Sequence, residues 1–170
     1  MSRKVKIDFK SHHAKRVRPI QNKVLLSIFN TLGDIKGLSV LDLYAGIGSL
    51  AIEALSQGAS TVDLVDISKT NLDFIKHKYD TYRDRMNIFN TKVETFITSN
   101  NKEYDLIFFD PPYALFDQNI ALDALDLLKS KGVMVLSMSS KIQLNSFGPK
   151  ASVYKERLFG GTKIIYLVKK

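Results

Sequence analysis

Cysteine is absent from the chain, which excludes disulfides, zinc–thiolate sites and any cysteine nucleophile and is compatible with a reducing cytoplasm. No apolar run approaches the roughly 18 residues that a membrane-spanning helix needs. The start, Met1-Ser2-Arg3-Lys4-Val5-Lys6, is basic without the apolar stretch of a secretory signal. Internal repeats, low-complexity tracts and Ser/Pro linkers are missing. His12 and His13 lie among basic residues with no acidic partner nearby, and His77 falls in a charged helix, so none is a candidate catalyst. Ser137, Ser139 and Ser140 have no histidine or elbow motif to activate them. The expectation is one soluble, cytoplasmic domain with no membrane association and no metal.

Acidic charge is scarce at both ends. Residues 1–18 carry seven Lys or Arg against Asp8 alone, and residues 129–170 carry nine against Glu156 alone, around a net-acidic middle. That division fits a basic arm (1–18) before a folded domain (19–170), with a polyanion held by the two ends.

Within 19–170 the hydrophobic period alternates between helix and strand. Pro19 suits the first turn of a helix, and Ile20, Val24, Ile28 and Leu32 recur at four-residue spacing. Ser39–Tyr44 reads as a strand, Leu50–Ser56 as a helix with Gly58 suited to follow it, and Thr61–Asp66 as a second strand. Ser68 is placed to cap a helix carrying Leu72, Ile75 and Tyr79 inward. A third strand is predicted over 87–91, a helix over 94–99, a fourth strand from Tyr104 to Asp110, a helix over 118–129 and a fifth strand over 132–137. Strands at about 152–158 and 162–168 join through Gly160-Gly161 as a hairpin. This order predicts an α/β fold with a mostly parallel sheet, right-handed crossovers and a closing hairpin that adds an antiparallel strand at one edge.

Two junctions carry chemistry. Asp42-Leu43-Tyr44-Ala45-Gly46-Ile47-Gly48-Ser49 joins the first strand to a helix, where glycine admits a ligand close to the backbone and the helix directs its N–H groups at it. Asp66, eighteen residues past Gly48, ends the second strand, where a carboxylate can accept both hydroxyls of a ribose. A dinucleotide would satisfy that pattern too. Asp42 favours S-adenosylmethionine, because it can meet a cationic amino group and would repel a pyrophosphate. The other junction, Asp110-Pro111-Pro112-Tyr113, lies at the C-terminal end of a strand buried on both faces, where open α/β sheets place their ligand sites. Prolines donate no N–H, so a carboxylate and nearby carbonyls under an aromatic ring match a planar amine such as a nucleobase NH2. Hydride transfer has no use for such a turn.

Asp42 to Gly48 and Asp110 to Tyr113 resemble motifs I and IV of class I methyltransferases acting on exocyclic amines. The chain is similar more narrowly, over about residues 16–168, to the bacterial small-subunit rRNA guanine-N2 methyltransferases. Arg18-Pro19 before Ile28-Phe29-Asn30, the run Leu41 to Leu55, Phe109 to Tyr113, and Tyr154-Lys155 with Gly161-Thr162-Lys163-Ile164 carry the likeness. The resemblance implies a single-domain, Rossmann-like, seven-stranded class I methyltransferase fold, S-adenosyl-L-methionine as cofactor, and rRNA within a small-subunit ribonucleoprotein as partner. It implies Asp42, Tyr44, Ala45, Gly46, Gly48, Asp66 and Ile67 as cofactor-binding residues. Asp110, Pro111, Pro112 and Tyr113 then hold the target: Asp110 and a turn carbonyl accept from the amine and Tyr113 stacks on the base. Phe116 either lines the base pocket or packs, and Lys155 and Arg157 are candidates for phosphate contact. DNA adenine-N6 methylation, protein glutamine methylation, a dinucleotide oxidoreductase and a non-catalytic RNA-binding module on the same fold are the alternatives.

Overall fold

The computed structural model describes residues 22–170. The expected basic arm and the Arg18-Pro19 helix start lie outside the described residues. Seven strands form one sheet: β1 (Ser39–Leu43), β2 (Thr61–Asp66), β3 (Met86–Asn90), β4 (Tyr104–Phe109), β5 (Leu128–Ser139), β6 (Ala151–Phe159) and β7 (Thr162–Lys169). Their order is β3-β2-β1-β4-β5-β7-β6, with β7 antiparallel to both neighbours and the β1–β5 pairings parallel.

Among the described residues five α-helices cover the sheet: α1 (Asn22–Leu32), α2 (Ser49–Ser56), α3 (Lys69–Lys78), α4 (Val93–Ser99) and α5 (Gln118–Ala124). Because side chains alternate across a strand, each strand feeds two cores. Val40, Val62, Leu64, Leu106, Phe108, Val135, Ile164 and Tyr166 pack against α1, α2 and α3. Leu41, Leu43, Val65, Ile107, Phe109, Met134, Leu136 and Leu167 pack against α4 and α5. Burial on both faces explains the near-continuous apolar runs of β1, β2 and β4.

Local chemistry sets the element boundaries. The Ser68 side chain accepts from the Asn71 N–H at the start of α3, and Leu72 and Ile75 turn inward as the spacing predicts. Gly58 adopts φ 99° after α2, a conformation that favours glycine.

Four expectations are corrected. β1 stops at Leu43, because Tyr44 turns to φ 64° and leaves the ladder. β3 runs one residue earlier than expected, Met86–Asn90. The helix expected over 118–129 ends at Ala124, tightens into a 3₁₀ turn over Leu125–Leu127, and yields to β5 at Leu128, which pairs with Tyr104. The antiparallel strand is not at the edge. β7 inserts between β5 and β6 because Ile164-Ile165-Tyr166-Leu167 is buried throughout, whereas β6 exposes Val153, Tyr154 and Leu158 and forms the rim.

A polar cluster inside β2 had no counterpart in the sequence reading. Asp63, 2% exposed, accepts from the Tyr104 hydroxyl at 2.7 Å, the Lys102 ammonium at 2.9 Å and the Asn87 amide at 2.7 Å. Removing the carboxylate strands the buried Tyr104 hydroxyl, while the half-exposed Lys102 ammonium turns to solvent. Asp63→Ala is expected to lose about 2 kcal/mol of stability in urea unfolding, and Tyr104→Phe, which leaves the other two partners in place, about 1 kcal/mol.

Candidate active site

The strand order reverses between β1 and β4, since β2 and β3 extend the sheet on one side of β1 and β5 on the other. A crevice opens at the carboxyl ends of strands at such a reversal. Asp42 lies next to it on β1, opposite Phe108 of β4. Val40 and Phe108 share the core under α2, so by alternation Asp42 and Asp110 point to that same face. Ser137, two residues past Val135 on β5, joins them.

Asp42 is 1% exposed and accepts from the Ala51 N–H in the first turn of α2 at 3.1 Å. Burial pushes its pKa well above the ordinary 3.8, the negative charges of Asp110 and Asp66 add to that, and the Ala51 hydrogen bond only partly offsets it. Burial raises Asp110 as well, against a lowering hydrogen bond from Ser137. Ser137, which has no histidine to activate it as a nucleophile, instead hydrogen-bonds Asp110, and the pleat parity of β5 is the sequence signal for that placement.

Between these aspartates the chain makes a glycine turn. Tyr44, Gly46 and Gly48 all have positive φ (64°, 55° and 80°). A side chain at Gly48 would also meet Ile75 Cδ1 at 3.0 Å, so both conformation and space require glycine there. Tyr44 accepts the left-handed conformation with its ring packed edge-on against Phe109 at 5.3 Å. Its hydroxyl is raised to about 12 by burial and by Glu94 and Asp117. The turn is fixed by Ala45 N–H to the Val65 carbonyl and Gly48 N–H to the Ala45 carbonyl. Asp66 clamps it from β2, accepting from Gly46 N–H at 2.8 Å and Ser68 N–H at 2.7 Å. Asn90, at the end of β3, donates to the Asp66 and Ile67 carbonyls and so braces that junction. Its register against Asp66 is a tertiary fact that the sequence does not carry.

The structure thus brings Asp42, Ala45, Gly46, Gly48 and Asp66 together around one turn. Ile67 stands beside them 68% exposed, an apolar face left to solvent. The Ser49 hydroxyl, just past Gly48, is buried without a hydrogen-bond partner. A crevice with three carboxylates, an orphan hydroxyl and an exposed apolar flank fits a ligand with a cationic end and a flat apolar end. It does not fit a pyrophosphate.

On the β4 side, Pro111 is buried while Pro112 and Tyr113 are exposed. The Pro112 carbonyl accepts from Leu115 N–H at 2.7 Å, closing a 3₁₀ turn over Tyr113–Leu115. Tyr113 is 43% exposed, and its hydroxyl bonds that of Thr162 on β7. Phe116 packs against Phe109 at 6.5 Å, which places it in the core under α5 rather than over Asp110. Among the described residues no group of three His, Asp or Glu is arranged to hold a metal, and no helix is long and apolar enough to cross a membrane.

Residues 3–168 match the family described as "Conserved hypothetical protein 95". The chain is 33% identical over 133 residues to the ribosomal RNA small subunit methyltransferase D of Buchnera aphidicola, covering 74% of this chain and 65% of that one. It is 31% identical over 122 residues to the protein of the same name from Haemophilus influenzae, covering 68% and 62%. The matches therefore span less than two thirds of those relatives' length. A conserved hypothetical protein of Streptococcus pyogenes has the same fold, with TM-score 0.78, 29% identity, and coverage of 85% of this chain and 94% of that one.

The raised carboxyl groups make a stability prediction. A buried aspartate with a raised pKa keeps its proton in the folded state after the unfolded chain has lost it, so stability falls as pH rises from 3.8 toward the raised value. Chemical unfolding of the ligand-free protein should show that decline. Asp42→Asn, which can still accept from Ala51, should flatten it and be at least as stable as the wild type at neutral pH.

Proposed function

The chain belongs to the family described as conserved hypothetical protein 95, and we propose that it transfers a methyl group from S-adenosyl-L-methionine to the exocyclic N2 amine of a guanine in small-subunit rRNA. The observation that carries this reading is the pairing of two desolvated aspartates, Asp42 and Asp110, across one crevice with a proline-proline-tyrosine turn beside the second. The curated relatives named above as small-subunit rRNA methyltransferases support the substrate class.

When bound, S-adenosylmethionine supplies an electrophilic methyl on a cationic sulfur. The residues that would hold it are Asp42 and Ser49 at its amino-acid end, Asp66 at the ribose, Ile67 against the adenine, and Tyr44, Ala45, Gly46 and Gly48 as the wall of the turn. Asp42 becomes favourable as an anion only beside a positive charge, so a cationic ligand is bound selectively there.

Asp110 works on the target. An aromatic amine is a poor nucleophile because its lone pair is delocalised into the ring. Two acceptors on its hydrogens favour the pyramidal geometry that frees the lone pair. Asp110 is one. The Pro112 carbonyl is engaged by Leu115, which leaves the Asp110 and Pro111 carbonyls as candidates for the other. Tyr113 stacks on the base, and most of the rate enhancement comes from positioning. The amine, strongly acidic once methylated, loses its proton to Asp110 or to water.

Basic residues on the same edge support a polyanionic substrate. Lys92 follows β3, Lys141 follows β5, and Arg157 lies near the end of β6, all exposed. The substrate we favour is the small-subunit ribonucleoprotein, with its proteins helping to present the base, and such a substrate implies a cytoplasmic location.

Labelled S-adenosylmethionine incubated with unmodified small subunits should yield N2-methylguanosine on nucleoside analysis, faster than with protein-free rRNA. Methyl-adenosine, or transfer only to DNA or protein, would overturn the guanine assignment. Asp110→Ala should abolish transfer and leave cofactor affinity within about threefold, since its carboxylate serves the amine. A large loss of affinity would move Asp110 into the cofactor site.

A further inference from the structure

The Tyr113 hydroxyl is bonded to the Thr162 hydroxyl, 49 residues away. Tyr113 sits on a turn whose residues 112–115 are all exposed, and its ring belongs to neither hydrophobic core. Thr162 is in the opposite situation. It opens β7, pairs with Ser139 of β5 and Phe159 of β6, and follows Gly161, whose carbonyl accepts from Ser140 N–H at 2.8 Å. By alternation Thr162 lies on the face of Ile164 and Tyr166, the face toward which Asp110 and its partner Ser137 also point. A rigid anchor thus meets a ring outside both cores on the Asp110 side of the sheet.

We propose that Thr162 is a positioning residue: its hydroxyl holds the Tyr113 ring over the Asp110 turn in the orientation that receives the target base. The proposal rests on the function argued above. An exposed aromatic side chain loses rotamer freedom when it stacks on a partner, and a tether made beforehand removes that loss from the binding step. Base–aromatic stacking tolerates many sequences but requires the ring at a fixed height and tilt. Thr162 therefore serves the site without touching substrate, acting through one hydroxyl pair.

A double-mutant cycle measured on small subunits tests this. Thr162→Val keeps the branched shape and removes the hydroxyl; Tyr113→Phe keeps the ring and removes its partner. Each should lower kcat/KM for RNA by about 3–10-fold, the double variant should be no worse than either single, and Thr162→Ser should stay within about twofold of wild type. The dissociation constant for S-adenosylmethionine should not change in any of them. Hydrogen exchange over residues 113–117 should accelerate in Thr162→Val and not in Thr162→Ser. Unchanged exchange and unchanged transfer in Thr162→Val, or multiplicative losses in the double variant, would overturn the proposal. A wild-type chain that transferred nothing to RNA would instead overturn the proposed function, and unchanged exchange in Thr162→Val would then remove the tether as well.

Discussion

Asp42 on β1 and Asp110, just past the end of the neighbouring β4, share one face of the sheet, and burial holds both carboxyl groups above their ordinary pKa. Other aspartates of the sheet are treated differently. Asp63 has Lys102 at 2.9 Å, and Asp105 has Lys129 at 2.9 Å together with the Ser39 N–H and hydroxyl. For Asp105 burial works upward, yet Lys129 and Ser39 bring its pKa below the usual value. Among the described residues, neither Asp42 nor Asp110 forms a salt bridge. Asp63 and Asp105 are neutralised within the chain, whereas the two crevice aspartates have no such cation beside them among the described residues.

That arrangement works against the stability of the empty fold. Anionic groups gathered in a poorly solvated cleft repel each other, and they persist because the surrounding packing over-determines their positions. Asp42 is held by a β1 core paired on both sides and by the start of α2. Asp110 is held by β4, by Ser137 and by the buried Pro111. Sites of this kind exchange stability for binding, and the same logic places a left-handed Tyr44 in the turn between them.

Much of this was legible in the amino-acid order. The helix and strand periods located most of the elements, because burial on both faces of a parallel sheet leaves long apolar runs that turns must interrupt. The two aspartate junctions were legible because glycines and prolines have few uses at strand ends other than turns. Pairing was legible only in part. The insertion of β7 between β5 and β6 depends on which hairpin strand is apolar on both faces, and the contrast between Ile164-Ile165-Tyr166-Leu167 and Tyr154-Lys155-Glu156-Arg157 marks β7 as the inner one. The contacts of Asn90 and Thr162 join residues far apart in the chain, and local pattern carries no trace of them, while for Ser137 only the pleat parity of β5 points to the right face. The early end of α5 came from tertiary competition, since Leu128 gains a strand partner in Tyr104.

If a ligand cation is what the crevice lacks, its binding must draw the proton from Asp42. Calorimetric titration of S-adenosylmethionine at several values from about pH 5 to pH 8, each in two buffers of different ionisation heat, counts that proton directly. The account predicts net proton release on binding at the lower end of the range, with affinity rising as pH approaches the raised Asp42 value. Tight binding that releases no proton and does not vary with pH would contradict it.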